Sequence, residues 1–240
     1  MNFRFACAPL GDRGLIIKLT RDDAGDDLST SGLIADQIRA SNVKGVTDIV
    51  PAFNQLAVHY DPTQWTSSSL ESPYEEIVRF LNHKLTGIEF VLEPTDRKVM
   101  CIPVCYDEKV GLDLLELSSY LNTSTSDLIN LHQSNIYTVG AIGFAPGFAY
   151  LEGLDASLVV PRRSEPRTRV PAGSVAIAGG YTGIYPSVLP GGWYILGRTY
   201  ASLFRTEESF GALLRVGDHV RFEPISIEEL DAQRGLENKK

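Results

Sequence analysis

Residues 140–199 read GAIGFAPGFAYLEGLDASLVVPRRSEPRTRVPAGSVAIAGGYTGIYPSVLPGGWYILGRT. Short apolar runs alternate here with glycine and proline, the pattern of short strands joined by tight turns. A half-chain built this way folds as a closed or nearly closed β-barrel. Within it, Gly143-Phe144-Ala145-Pro146-Gly147-Phe148 sets bare backbone beside aromatic rings. Arg162 and Arg167 each follow a proline, Pro161 and Pro166, whose ring fixes φ and extends the preceding residue. A guanidinium on rigid backbone offers a planar donor fork to a carboxylate or phosphate. Arg163 and Arg169 lie beside them, so the segment also reads as a solvated cationic loop. In a chain of formal net charge −8, such a loop favours local anion capture.

Around this segment the C-terminal half adds a strand over 99–106, interrupted by Pro103. Leu114, Leu117 and Leu121 are spaced for a short helix. Ser124 and Asp127 form a capping box that opens a second helix, with Leu128, Leu131 and His132 on one face. Residues 137–142 lead into the Gly/Pro segment, and strands are expected at 175–178, 194–196 and 219–222, then a helix over 226–233. The N-terminal half opens as a hairpin, 3–7 and 15–19 around the Gly11–Gly14 turn. A helix over 31–41, strands at 46–51 and 55–60, a helix over 74–85 and a strand at 87–92 follow. The fold class is α+β: a small split-βαβ N-terminal domain, 1–94, then a β-barrel domain, 97–225, with a C-terminal helix and tail, 226–240. A polar, Pro-marked break at 93–97 separates the two halves.

The chain has 240 residues, enough for two modest cores, and 43 % apolar with 22 % charged residues is ordinary for a soluble globular protein. Its acidic balance argues against a nucleic-acid partner, which would want a basic face. No apolar run is long enough for a bilayer and the N-terminus shows no secretory pattern, so a cytoplasmic location without membrane attachment is expected. Three cysteines, Cys7, Cys101 and Cys105, make no disulfide framework. Four histidines, His59, His83, His132 and His219, show no HxH or HExxH spacing, so no metal site is expected. P-loop, GxSxG and GxGxxG motifs are absent, as is a biotin-carrier lysine context.

Each candidate residue has a plainer reading. A histidine on an apolar helix face, such as His132, is more often a satisfied core residue than a catalyst. Tyr185 reaches a ligand with its hydroxyl or packs as a core aromatic with a polar tip. Pro190-Gly191-Gly192-Trp193 is a turn into a strand, whose glycines supply positive φ or let backbone approach a ligand.

The segment resembles a known family of carboxyltransferase-like proteins, which takes in the allophanate hydrolase subunit 1, the 5-oxoprolinase B-subunit and the sporulation-kinase inhibitor. The matching motifs are GFAPGFAYL at 143–151, Pro161-Arg162, Pro166-Arg167, VPAGSVAIAG at 170–179, TGIYP at 182–186, PGGW at 190–193 and Gly197-Arg198-Thr199. Weaker matches include Tyr60-Asp61-Pro62, Ile102-Pro103-Val104, Asp113-Leu114, His132 and Gly217-Asp218. The chain departs from the usual pattern at Tyr181, Val188-Leu189, Tyr200 and Arg205, around the rim of the expected pocket. The resemblance implies a cyclophilin-like barrel and a role as the B-subunit of an ATP-dependent 5-oxoprolinase. Its implied partners are a homologous carboxyltransferase-like subunit and a LamB/YcsF-like subunit. ATP belongs to that complex, with no metal or biotin on this chain, and the substrate is a small molecule. Kinase inhibition and the carboxyltransferase part of an allophanate- or urea-processing enzyme are the alternatives the same family offers. His132, Arg167 and Tyr185 are the candidate catalytic residues. Pro146, Gly147, Phe148, Arg162, Pro190, Gly191, Gly192, Trp193 and Arg198 are the candidate substrate contacts.

Overall fold

The computed structural model describes residues 3–21, 29–65, 71–86, 99–206 and 211–237. The chain divides into two compact units, Met1–Arg97 and Lys98–Lys240. The strand expected at 87–92, the break at 93–97 and the tail after 237 lie outside the described residues.

In the first unit, β1 (Phe3–Pro9) and β2 (Gly14–Arg21) form the expected hairpin, in register from Phe3↔Arg21 to Pro9↔Leu15. After α1 (Ser29–Ala40) come β3 (Val46–Ala52) and β4 (Gln55–Tyr60), then α2 (Pro73–Thr86). The antiparallel order is β1-β2-β4-β3. Period-2 alternation turns Leu15, Ile17 and Leu19 of β2 and Leu56 and Val58 of β4 inward. There they meet Ile34 and Ile38 of α1 and Ile77, Leu81 and Leu85 of α2 in one core. Ser72 and Glu75 cap α2 reciprocally: the Ser72 N–H donates to Glu75 Oε2 at 2.7 Å and the Glu75 N–H to Ser72 Oγ at 3.3 Å.

The second unit is a closed seven-stranded barrel. Its strands are β5 (Met100–Cys105), β6 (Tyr137–Ile142), β7 (Ala149–Glu152), β9 (Ser174–Ala178), β10 (Tyr181–Ile184), β12 (Tyr194–Arg198) and β13 (His219–Ile225). The order β6-β13-β5-β12-β9-β10-β7 closes through β6–β7 pairing, and β5–β13 is the parallel pair. Strands β8 (Arg167–Val170) and β11 (Leu189–Gly191) form a separate ribbon. Helices α3 (Leu114–Tyr120), α4 (Thr125–Gln133) and α5 (Ile227–Glu237) complete the unit. This α+β architecture is the one expected. Pro103, however, does not interrupt β5, which runs through it in register with Glu223. On its other flank β5 meets β12 only at Arg198↔Cys105, so the missing N–H falls where the ladder makes little demand.

Two cores flank the barrel wall. All seven strands feed the interior, with Ile102, Val139, Leu151, Ile177, Ile184, Leu196 and Phe222 among them, joined by Leu117 and Leu128 from the helices. The outer face of β9 and β12 carries Ala176, Ala178 and Ile195 against Val170, Phe148, Tyr185 and Trp193. Every residue of β9 is therefore buried, and the small alanines let a second layer lie close. No described helix is long and apolar enough to cross a membrane.

Candidate functional site

The outer layer is built on the loop between β6 and β7. The Phe148 N–H donates to Ala145 O at 3.0 Å and the Gly143 N–H to Phe148 O at 3.1 Å, folding 143–148 into a tight turn with Pro146 exposed at its corner. Gly147 has φ +83, and a Cβ there would stand 2.6 Å from Leu203 O, so only glycine fits. The turn drives Phe148 into an edge-to-face cluster, with ring centroids 4.9 Å from Tyr150, 5.4 Å from Tyr185, 5.6 Å from Trp193 and 5.4 Å from Phe144. Phe148, Tyr185 and Trp193 are buried, while Phe144 stays 60 % exposed.

Tyr185 lies under the ribbon. A Cβ on Gly191 would collide with the Tyr185 hydroxyl, so this glycine exists to admit the phenol. Burial raises the phenol's pKa, the Trp193 backbone N–H bonded to it lowers it, and the charges of Arg162 and Arg167 pull the same way. The hydroxyl therefore stays protonated near neutrality and retains its own proton to donate.

Beside this cluster sits a closed ion-pair frame. Arg167 is bidentate on Asp113, with Nη1 donating to Oδ2 at 2.8 Å and Nη2 to Oδ1 at 2.6 Å. Arg163 Nη1 donates to Asp113 Oδ1 at 2.8 Å and to Glu116 Oε2 at 2.7 Å, and the Ile195 N–H donates to Asp113 Oδ2 at 2.7 Å. Asp113 is wholly buried. It occupies the N-cap of α3 yet makes no side-chain cap bond, because its carboxylate faces the arginines instead. Arg163 also lies over the Tyr194 ring, 5.2 Å from its centroid.

The expected site residues thus separate. Arg167 is not a free anion clamp: both terminal nitrogens are engaged by Asp113, and the fork that suits a ligand carboxylate has found one inside the chain. Arg162 is exposed and, among the described residues, has no hydrogen bond or ion pair. Gly192 accepts from the Arg163 N–H at 2.8 Å, Gly191 pairs with Arg167, and Pro190 is exposed between the two paired positions of β11. Arg198 has other neighbours. Its Nε donates to Ala172 O at 2.8 Å, while burial and then Arg234 lower its pKa.

His132 is placed inside the barrel, fully buried. Its ring stacks on Phe222 at 4.7 Å, with Nδ1 2.8 Å from the Tyr106 hydroxyl and Nε2 2.9 Å from Thr182 Oγ1. Thr182 Oγ1 donates to Ala176 O at 3.2 Å, so it accepts from Nε2–H, which leaves Nδ1 to accept from Tyr106. Burial lowers the imidazole pKa to about 3. This is a neutral, fully satisfied core histidine that no solvent-borne substrate reaches, the plainer of its two readings. Asp113 and Glu116 are not candidates from sequence, because they stand some fifty residues from their arginines, where no spacing rule connects them. Phe144 and Tyr150 fall within the segment quoted at the outset, and their aromatic character beside glycine is the available signal. Among the described residues no group of three or more His, Cys, Asp or Glu side chains could hold a metal ion.

The described architecture is a closed seven-stranded barrel with an aromatic and arginine-bearing outer wall and, earlier in the chain, a small α+β unit. The chain belongs to the family "carboxyltransferase domain, subdomain C and D", which matches residues 5–214. It is 35 % identical to the 5-oxoprolinase B-subunit of Bacillus subtilis (strain 168), over 99 % of this chain and 100 % of that protein. Among solved structures it is similar to TTHA0988, with TM-score 0.74 and 34 % identity over 89 % of this chain, which spans only 40 % of that longer chain. Kluyveromyces lactis urea carboxylase shares the fold, with TM-score 0.70 at 17 % identity over 95 % of this chain and 22 % of that one.

Proposed function

We propose that this chain is the B-subunit of an ATP-dependent 5-oxoprolinase, acting in the cytoplasm with a homologous carboxyltransferase-like subunit and a LamB/YcsF-like subunit. The observation that carries the reading is end-to-end similarity to the Bacillus subtilis 5-oxoprolinase B-subunit at 35 % identity. The chemistry asks for an assembly. A five-membered cyclic amide resists hydrolysis because its carbonyl is a weak electrophile. The amide oxygen would take the γ-phosphoryl group of ATP with release of ADP, water would add at the activated carbon and the ring C–N bond would open to give γ-glutamyl phosphate, and a second water would release phosphate and leave glutamate. This chain has no P-loop motif, so ATP is assigned to the complex as a whole, without metal or biotin on this chain.

Within that assembly, the chain's contribution is one wall: aromatic rings and Gly191 around a protonated Tyr185 hydroxyl, with Arg167 fixing the wall's frame through Asp113 and the exposed Arg162 outside that frame. The likeness to urea carboxylase concerns architecture alone and adds no carboxyl transfer. The test is reconstitution of the three purified subunits with 5-oxoproline and ATP. Glutamate formed only when this chain is present supports the reading, and a complete mixture that forms none refutes it.

A further inference from the structure

The sheet of the first unit ends on β1, whose one ladder among the described residues is to β2, from Phe3↔Arg21 to Pro9↔Leu15 without a register shift. Two hydrogen bonds fix which way its backbone groups point. The Leu10 N–H donates to Gly14 O at 2.8 Å, so Arg4, Ala6 and Ala8 are the β1 residues bonded to β2. The Leu19 N–H donates to Asn54 O at 2.9 Å, so Leu15, Ile17 and Leu19 bond on the opposite side, toward β4. The N–H and C=O groups of Phe3, Phe5 and Cys7 therefore point out of the edge, and none has a partner among the described residues.

Such an edge is a template for another strand, and proteins defend it with charges, prolines and bulges. β1 carries one charge, Arg4, and its proline, Pro9, falls at the end. The side chains add a second observation. Phe5 and Cys7 lie on the core face, opposite Leu19 and Ile17, and pack against the core while staying half-buried, so that core stops short at this edge.

We infer that β1 pairs antiparallel with β1 of a second copy of this chain about a twofold axis at Phe5, joining two sheets and their cores edge to edge. The register follows by elimination. Only residues with outward groups can face one another as hydrogen-bonded pairs, so Phe5 lies opposite Phe3, Phe5 or Cys7 of the second copy. Phe5 opposite Phe3 sets Arg4 against Arg4, like charges directly opposed. Phe5 opposite Cys7 sets Pro9, which has no N–H, against Phe3. Phe5 opposite Phe5 avoids both: Phe3 meets Cys7 on either side of the axis, and Arg4 stands opposite Ala6 on the other face. The contact is isologous and closes as a dimer. It is independent of the 5-oxoprolinase reading, and a partner subunit bound to each copy would be assembled in twos.

Sedimentation equilibrium of the full chain, with backbone amide exchange at Phe3, Phe5 and Cys7, tests the pairing. One short strand pair is at the small end of specific interfaces, so a monomer–dimer equilibrium with Kd on the order of 10 μM is expected. Exchange at those three amides should slow as concentration rises. Ala6 is exposed, so a charge placed there leaves the monomer's packing alone. Ala6→Glu faces Arg4 of the other copy at both ends of the axis and should tighten the dimer about fivefold, while Ala6→Lys should weaken it about fivefold. Ala8→Glu, with no Arg4 directly opposite, should change Kd less than about twofold. Cys7→Pro removes an outward N–H and no bond of the β1–β2 ladder, so it should weaken the dimer about tenfold or more with an unchanged circular dichroism spectrum.

A chain that stays monomeric at about 100 times that concentration overturns the pairing, as does a dimer whose Kd is indifferent to both charges at Ala6. A dimer tightened by Ala8→Glu and not by Ala6→Glu overturns the register. Should Cys7→Pro fail to fold, the two Ala6 variants and the amide exchange decide.

Discussion

At Asp113 one buried carboxylate accepts hydrogen bonds from two guanidiniums and a backbone N–H. Its worth lies in what its removal leaves behind. Asp113→Asn keeps the shape but leaves two partly covered arginines facing an amide, and breaking one partner of a buried pair costs about 3–5 kcal/mol. Urea unfolding should show a loss of that order, and a loss under about 1 kcal/mol would mean the frame is solvated after all. His132 makes a pH prediction. Burial lowers its pKa from 6.5 to about 3, so the unfolded chain takes up a proton in a range where the folded chain does not. The contribution is complete above pH 6.5 and is lost as pH falls from 6.5 toward 3, at up to about 1.4 kcal/mol per pH unit. The wild type should lose stability on acidification more steeply than His132→Gln, and equal slopes would contradict the assignment. The sequence pattern locates the arginines, the aromatics and Tyr185 but not their division of labour. Which arginine is free depends on a carboxylate brought back by the fold from far along the chain.

Elements carry the next level. The ribbon of β8 and β11 covers the outer wall, and Gly191 within it admits the Tyr185 ring. Gly191→Ala forces a methyl against a phenol that is buried and cannot swing aside, and such overpacking costs about 1–3 kcal/mol. A lowered Tm with altered near-ultraviolet signal from Tyr185 and Trp193 is expected, and a variant indistinguishable from wild type would place the ribbon elsewhere. The Ser124 cap of α4 accepts from the Asp127 N–H at 3.0 Å, and Ser124→Ala should cost about 1 kcal/mol by thermal melting. That cap, both hairpin strands, α1, α2 and most barrel strands are legible in the sequence, because capping boxes and period-2 or 3.6 repeats are local. Strands β7, β8, β10 and β11 are not. They are three or four residues long, too short for alternation to show, and are defined by their pairing partners.

For the whole molecule, family membership and full-length similarity to a 5-oxoprolinase B-subunit are the support for the proposed role as one subunit of an amide-opening complex. The most direct measurement is glutamate formation from 5-oxoproline and ATP by the purified partner subunits, with and without this chain, and by this chain by itself. Turnover is expected in the complete mixture alone, with silence from the isolated chain. Undiminished turnover without this chain, or robust turnover by this chain alone, would contradict that role.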